Sequence, residues 1–293
     1  MNIAKRIFLF FAVNVLIITT ISIVFSVLGI APYLNANGIN YVSLIIFCLI
    51  WGFGGAFISL ALSRIIAKWM MGVKVIPADT HEPGLRKILD MVYDYCRQAG
   101  LEKMPQVGIY ESPDMNAFAT GPTRSRSLVA VSTGLLNGMS ENEVRGVIAH
   151  EVSHIVNGDM VTMTLIQGLV NAFALFLSRI IAFVISQFVH EKISHLVFRL
   201  TTLVLDILLT ILGSIVVFYF SRQREFRADS GAAKLAGRDS MISALRKLQA
   251  TYELARQEKH ASIATMKISG KTGGLMALFA SHPPLEIRIQ RLQ

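Results

Sequence analysis

The sequence predicts a mainly α integral membrane protein. It should have four apolar segments, two N-terminal spans and a later hairpin, with a water-soluble α+β part that carries a short β-sheet. Three observations predict this. Of 293 residues, 53% are hydrophobic and only 16% are charged, against about 25% charged in an average soluble chain. The deficit is local, since positions 7 to 63 contain no Asp, Glu, Lys, Arg or His. Outside the apolar stretches the charge density returns to that of a soluble protein, and the pattern turns amphipathic. Such a composition excludes a disordered chain. Two cysteines, Cys48 and Cys96, exclude a disulfide framework.

A spanning helix needs about 20 apolar residues, so positions 7 to 63 hold two. Pro32, Asn35, Asn37 and Gly38 mark the turn between them. The first helix is expected over Ile7 to Ile30 and the second over Tyr41 to Ser63. The first run is longer than the 7–15 residues of a signal-peptide core, and no clear A-x-A site follows. It therefore reads as an uncleaved anchor. Gly52, Gly54 and Gly55 within the second span either permit close helix approach or only lower bulk.

Two further apolar stretches follow. One runs from Met160 past Arg179, and the other ends at Phe220 after Arg199 and Asp206. They either form a full hairpin or tuck partly into the protein. In both cases Arg179 and Asp206 are too costly to face lipid. Basic flanks set the orientation. Lys5 and Arg6 precede the first span, Arg64, Lys68 and Lys74 follow the second, and Arg222, Arg224 and Arg227 follow the fourth segment. Both termini and the soluble parts are then cytosolic. The organisation is a two-helix anchor over 1–63, a cytosolic part over 64–159, a membrane hairpin over 160–221 and a cytosolic helical part over 222–293.

Within the soluble parts, Leu85, Ile88, Leu89, Val92, Tyr93 and Cys96 recur at helical spacing, and Gly100 supplies a stop. Val107 to Tyr110, Asn116 to Thr120 and Ser127 to Ser132 read as short strands. Ser140 with Glu143 is a capping box, opening a helix that runs to a break near Gly158. A last helix is capped by Asp239 or Ser240 and continues through Leu245, Leu248 and Tyr252.

The helix from Ser140 carries His150-Glu151-Val152-Ser153-His154. This is H-E-x-x-H, the zincin pattern. Residues i and i+4 share one helix face, so two imidazoles there can bind one tetrahedral zinc at about 2.0–2.1 Å each. Glu151 falls beside the first histidine, placed to take a proton from water and pass it to a leaving amine. A capped helix, an apolar opposite face and a cytosolic side favour this over two satisfied histidines and a surface glutamate. A catalytic zinc needs a third protein ligand. Glu225 is a candidate by topology, because the two histidines precede the third apolar segment and Glu225 follows the fourth. An ion pair with Arg222 or Arg227 is its other reading. Asp229, at i+4 from Glu225, could accept a hydrogen bond from a ligating histidine.

Several stretches carry a family resemblance. They are Asn116-Ala-Phe-Ala-Thr-Gly, Val129-Ala-Val-Ser-Thr-Gly-Leu-Leu, Val147-Ile-Ala-His-Glu-Val-Ser-His-Ile, Asn157-Gly-Asp-Met-Val-Thr-Met-Thr-Leu-Ile-Gln-Gly, Ser221-Arg-Gln-Arg-Glu-Phe-Arg-Ala-Asp and Ser281-His-Pro-Pro-Leu. Through them essentially the whole chain resembles the HtpX family of bacterial inner-membrane zinc metalloproteases, relatives of the CAAX prenyl proteases. The resemblance implies a zincin-like cytosolic metalloprotease domain in a multi-pass protein of the bacterial inner membrane. It implies one Zn2+ per chain on His150, His154 and Glu225, with Glu151 catalytic and Asp229 orienting a histidine. It also implies a gluzincin-type endopeptidase acting on misfolded membrane proteins or other unfolded polypeptides under stress. Asn116, Ala117 and Phe118 match a strand that lies beside the active-site helix, where a substrate backbone can add as a further strand. A core strand is the other reading. His282 and Arg288 match residues near the cleft that hold substrate or the oxyanion. For His282 a structural turn at Pro283 and Pro284 is the alternative.

A second function class is a membrane-anchored zinc-binding scaffold or chaperone without turnover. The intact Glu151 argues against it, since scaffolding needs no base. The net charge of +9 does not point to nucleic acid, because the basic residues cluster at membrane boundaries, where anionic lipid accounts for them.

Overall fold

A computed structural model describes residues 41–262 and 282–293. The expected first span, Ile7 to Ile30, lies outside these residues. The chain divides into two compact units. One takes the residues up to Leu60 with Thr162–Val217, and the other takes Ala61–Val161 with Phe218–Gln293.

Three described helices are long and apolar enough to cross a membrane: α1 (Tyr41–Met71), α5 (Asp159–Gln187) and α6 (Glu191–Ala236). At 1.5 Å per residue, even the shortest exceeds the roughly 30 Å of a hydrocarbon core. The helical stretch that follows the fourth apolar segment is continuous with it. Helix α6 runs unbroken through Arg222 and Glu225 to Ala236. Charged residues do not interrupt a backbone hydrogen-bond ladder. The break comes at Gly237, whose φ of 90° lies outside the helical region.

In the apolar unit the close-approach reading of the second span holds at Gly52. A Cβ there would stand 2.5 Å from the backbone nitrogen of Ala172, so α1 and α5 meet backbone to backbone. At Gly55 a Cβ would meet open space. Arg179 on α5 and Asp206 on α6 face each other, with Nη1 3.0 Å from Oδ1. The Ser178 hydroxyl donates to the same carboxylate. The guanidinium also donates to the Leu175 carbonyl at 3.1 Å and lies 5.9 Å from the Phe47 ring centre. The two charges barred from lipid thus neutralise each other on protein.

The second unit is built on a four-stranded sheet in the order β1-β2-β4-β3, from β1 (Lys74–Val75), β2 (Gln106–Tyr110), β3 (Ala117–Thr120) and β4 (Leu128–Ser132). β2 and β4 are parallel, pairing Gln106 with Leu128 and Tyr110 with Ser132. β3 lies antiparallel on the edge, pairing Ala117 with Val131. β1, antiparallel to β2, is absent from the sequence reading because two residues are too short to show a period. The chain leaves β2 for the far edge and returns to the middle as β4, whose five residues are all buried.

Around the sheet stand α2 (Pro83–Gln98), a short α3 (Thr133–Gly138), α4 (Glu141–Asn157), α7 (Arg238–Ser262) and α8 (Leu285–Leu292). The main core joins Leu89, Val92 and Cys96 of α2, Val129 and Val131 of β4, Ile148 and Val152 of α4, and Leu245 of α7. The period of two in β3 divides its side chains. Ala117 and Ala119 pack on this core, whereas Phe118 lies on the other face with Val73, Tyr110, Leu128 and Ala130.

The capping box is present in full. The Ser140 hydroxyl accepts from the Glu143 amide at 3.4 Å, and the Glu143 carboxylate accepts from the Ser140 amide at 2.7 Å. Ser140→Ala is expected to cost about 1 kcal/mol in the thermal or denaturant unfolding of this unit. Arg179→Leu, which leaves Asp206 without its cation, should destabilise the full chain in detergent by about 3 kcal/mol. The double change with Asp206→Leu should recover most of that loss. Equal melting temperatures for the single and double variants would refute the pairing.

Candidate metal centre

Helix α4 presents His150 and His154 one turn apart, with ring centres 4.6 Å apart and planes at 88°. Its opposite face is anchored by Val144, Ile148, Val152 and Ile155, all buried. Helix α6 brings Glu225 and Asp229 to the same place, both 2% exposed. The close approach of the two helices depends on Gly231. A Cβ there would lie 2.6 Å from the Ser153 hydroxyl, which itself donates to the Ala149 carbonyl.

Three donor atoms converge. His150 Nε2 and His154 Nε2 are 3.1 Å apart, and the two oxygens of Glu225 lie 3.5 Å and 3.4 Å from them. Ligands at about 2.0–2.1 Å in a tetrahedron stand roughly 3.3 Å from one another. Glu225 Oε1 is buried and makes no hydrogen bond among the described residues. Two imidazole nitrogens and a carboxylate with one orphaned buried oxygen fit a divalent cation of the zinc type. The sequence-level alternative for Glu225, an ion pair with Arg222 or Arg227, is not what the geometry shows. The arginines beside it are Arg224 and Arg288, each 3.6 Å away, and Arg227 approaches Asp159 instead.

The far nitrogens of both histidines are also held. His150 Nδ1 lies 3.0 Å from Asp229 Oδ1. His154 Nδ1 lies 2.6 Å from Asp159 Oδ2. Asp229 is fixed in turn by the Arg288 fork, with Nη2 to Oδ1 at 2.6 Å and Nε to Oδ2 at 2.8 Å. Arg288 belongs to α8, is itself buried, and also brings Nη1 to 3.6 Å from Glu225. Two nitrogens of the fork are therefore occupied by Asp229, while Arg288 also lines the cleft. His282 Nδ1 stands 3.1 Å from Glu225, with its ring largely exposed.

Burial disfavours the charged form of His154, but hydrogen bonds to Asp159 and Glu225 outweigh it and raise its pKa to about 9. His150 behaves alike: burial works against charge, and hydrogen bonds to Asp229 and Glu225 raise it above the usual histidine range. Burial likewise opposes the Arg288 charge, and Asp229 more than restores it.

These groups form one end of a cleft of about 720 Å³. Glu151, half-buried, lines it, as do Asn116, Ala117 and His282. Phe118 turns away from the cleft to the Tyr110 ring, 5.6 Å off, because successive strand residues alternate faces. Asp159 is the residue that the sequence reading missed. Its signal was the Asn157-Gly-Asp run, whose aspartate lies five residues after His154. Gly158, at φ 69°, ends α4 in the left-handed region and turns the chain so that Asp159 faces the helix it has just left.

The family model described as Peptidase family M48 matches residues 82–293. The chain is 50% identical over 297 aligned positions to a protein of Bacillus subtilis (strain 168) named Protease HtpX homolog, covering 99% of each. It is also 50% identical to the Protease HtpX of Shewanella sp. (strain ANA-3), again over 99% of each. Among solved structures, the crystal structure of S. mikatae Ste24p shares the fold with a TM-score of 0.62 at 18% identity, over 98% of this chain and 67% of that one. With two buried imidazoles and a carboxylate converging beside a cleft, and with helices long enough to cross a membrane, the chain belongs to peptidase family M48 and to its HtpX proteases, membrane metalloproteases whose family implies a metal, generally zinc.

Proposed function

We propose that this protein is a zinc endopeptidase, of gluzincin type, that cleaves misfolded or damaged membrane proteins at the cytosolic face of the bacterial inner membrane. The observation that carries the proposal is the convergence of His150 Nε2, His154 Nε2 and the Glu225 carboxylate within 3.5 Å at the wall of the cleft that Glu151 lines. One Zn2+ per chain would be held by these three side chains. When bound there, it supplies Lewis-acid polarisation of a carbonyl and an acidified water.

The protein's own groups do the rest. Glu151 takes a proton from the water whose oxygen adds to the peptide carbonyl carbon, and returns it to the nitrogen as the C–N bond breaks. Asp229 keeps the His150 proton on Nδ1, and so keeps Nε2 available. His282, exposed and directed at Glu225, is placed at the mouth of the cleft to meet substrate. Ala117, on the edge strand, offers backbone to an extended chain; the Asn116 amide and carbonyl beside it are already bonded to Ser132. The reading of a scaffold without turnover would be supported by a sealed Glu151, and the carboxylate instead lines the cleft.

The domain organisation fits the same reading: an anchor over 1–63, a membrane hairpin over 160–221, and the protease parts 64–159 and 222–293 between and after them. The basic flanks Lys5, Arg6, Arg64, Lys68, Arg222 and Arg224 support a cytosolic site and cytosolic termini. Chains protruding from the bilayer are then within reach.

Glu151→Gln should retain stoichiometric zinc while cleavage of an unfolded membrane protein falls by ~10²–10⁴-fold. Undiminished cleavage would sink the mechanism. Glu225→Ala should lose zinc during purification, measured by elemental analysis, and retained stoichiometric metal would refute the third ligand. A chelator should abolish cleavage by the wild-type chain, and added zinc should restore it.

A further inference from the structure

We infer that Asp159 is a positioning residue of the metal centre, holding His154 in the one tautomer that can ligate. The inference rests on the zinc reading above. Asp159 is 2% exposed, and a carboxylate removed from water to that extent is costly unless paired. Two basic groups face it. Arg227 Nη2 is 3.9 Å from Oδ1, beyond hydrogen-bond distance, and its side chain is mostly exposed. His154 Nδ1 is 2.6 Å from Oδ2, at the short end of charge-assisted bonds. The imidazole is thus the group to which the buried carboxylate is committed.

The geometry assigns the proton. A carboxylate accepts, so Nδ1 donates, and in the neutral ring Nε2 is left with its lone pair. That lone pair is directed at Glu225 Oε1 and His150 Nε2, the other two donors. The same acceptor also restricts rotation of the ring about its χ2 axis.

Asp159 and Asp229 are not equivalent. Both oxygens of Asp229 are engaged by the Arg288 fork, so His150 shares its acceptor with a cation. Asp159 has no fork of that kind at hydrogen-bond distance among the described residues, and its negative charge is the more available to its histidine. Such an arrangement raises the basicity of the ligating nitrogen. Asp159 is also the first residue of α5, where a negative charge favours a helix N-terminus. That second role predicts a change in stability and none in metal affinity, and so the two roles can be separated.

The experiment uses the full chain in detergent, stripped of metal and titrated with zinc against a chromophoric chelator, with thermal unfolding of the stripped protein alongside. Asp159→Ala is expected to weaken zinc binding by ~10–100-fold. Asp159→Asn, whose amide oxygen still accepts from Nδ1, should recover most of that affinity. Asp159→Ser, which can begin a helix but is too short to reach His154, should bind as weakly as Asp159→Ala. Cobalt loaded into the Asn variant should show a tetrahedral absorption spectrum like the wild type. Wild-type zinc affinity in Asp159→Ala, or an equal loss in the Asn and Ala variants with unfolding temperatures unchanged, would overturn the inference. Glu225→Ala serves as reference. If that variant keeps its zinc, the metal reading fails; if it loses zinc while Asp159→Ala binds normally, only the role of Asp159 fails.

Discussion

Two imidazole nitrogens 3.1 Å apart, with a buried carboxylate 3.4–3.5 Å from each, cannot satisfy one another. Each side presents electron pairs, and burial removes the water that would otherwise solvate them. Protons or a cation must lie among them. The surrounding structure meets that demand. α4 starts at a full capping box and ends at a left-handed glycine, and both histidines fall in its last three turns. α6 comes close because residue 231 has no side chain to hold it off. α8 inserts Arg288 behind Asp229, and Arg291 stacks on the Phe226 ring, 3.7 Å from its centre, which clamps the last helix to α6.

The same economy governs the apolar unit. Arg179 and Asp206 would each be prohibitive in hydrocarbon, but they form a pair with Ser178 as a further donor. The small residue at 52 lets α1 lie against α5 without an intervening side-chain layer. Both units use the same devices, a glycine for approach and a paired charge for neutrality, and differ in what the paired charges leave unfilled.

Much of this was legible because it is local. H-E-x-x-H, the capping box and the Glu225–Asp229 spacing are each contained within two helical turns, and the apolar runs declare themselves by the absence of charge. Other features depend on tertiary geometry and left little trace. β1 has two residues and no period. The residues after Phe220 read as helix up to Gly237, but their fusion with the apolar segment into one α6 was hidden by charges that look like a boundary. Phe118 belongs to the strand read beside the active-site helix, and which face its side chain takes follows only from the register of that strand. Arg288 lines the cleft as its motif implied, but only packing could show that two of its nitrogens hold Asp229. Asp159 follows a helix-ending glycine and looks like an ordinary stop. Its reach back to His154 is a property of the turn and not of the letters.

The buried charges also add up. Among the fully buried ionisable groups at the centre, Glu225, Asp159 and Asp229 are anionic and Arg288 is cationic, which leaves two negative charges. A divalent cation cancels them with both imidazoles neutral. Without it, hydrogen bonds to these carboxylates raise the affinity of both imidazoles for protons. Protons and a cation therefore compete for the same two buried nitrogens, and acid favours the protons.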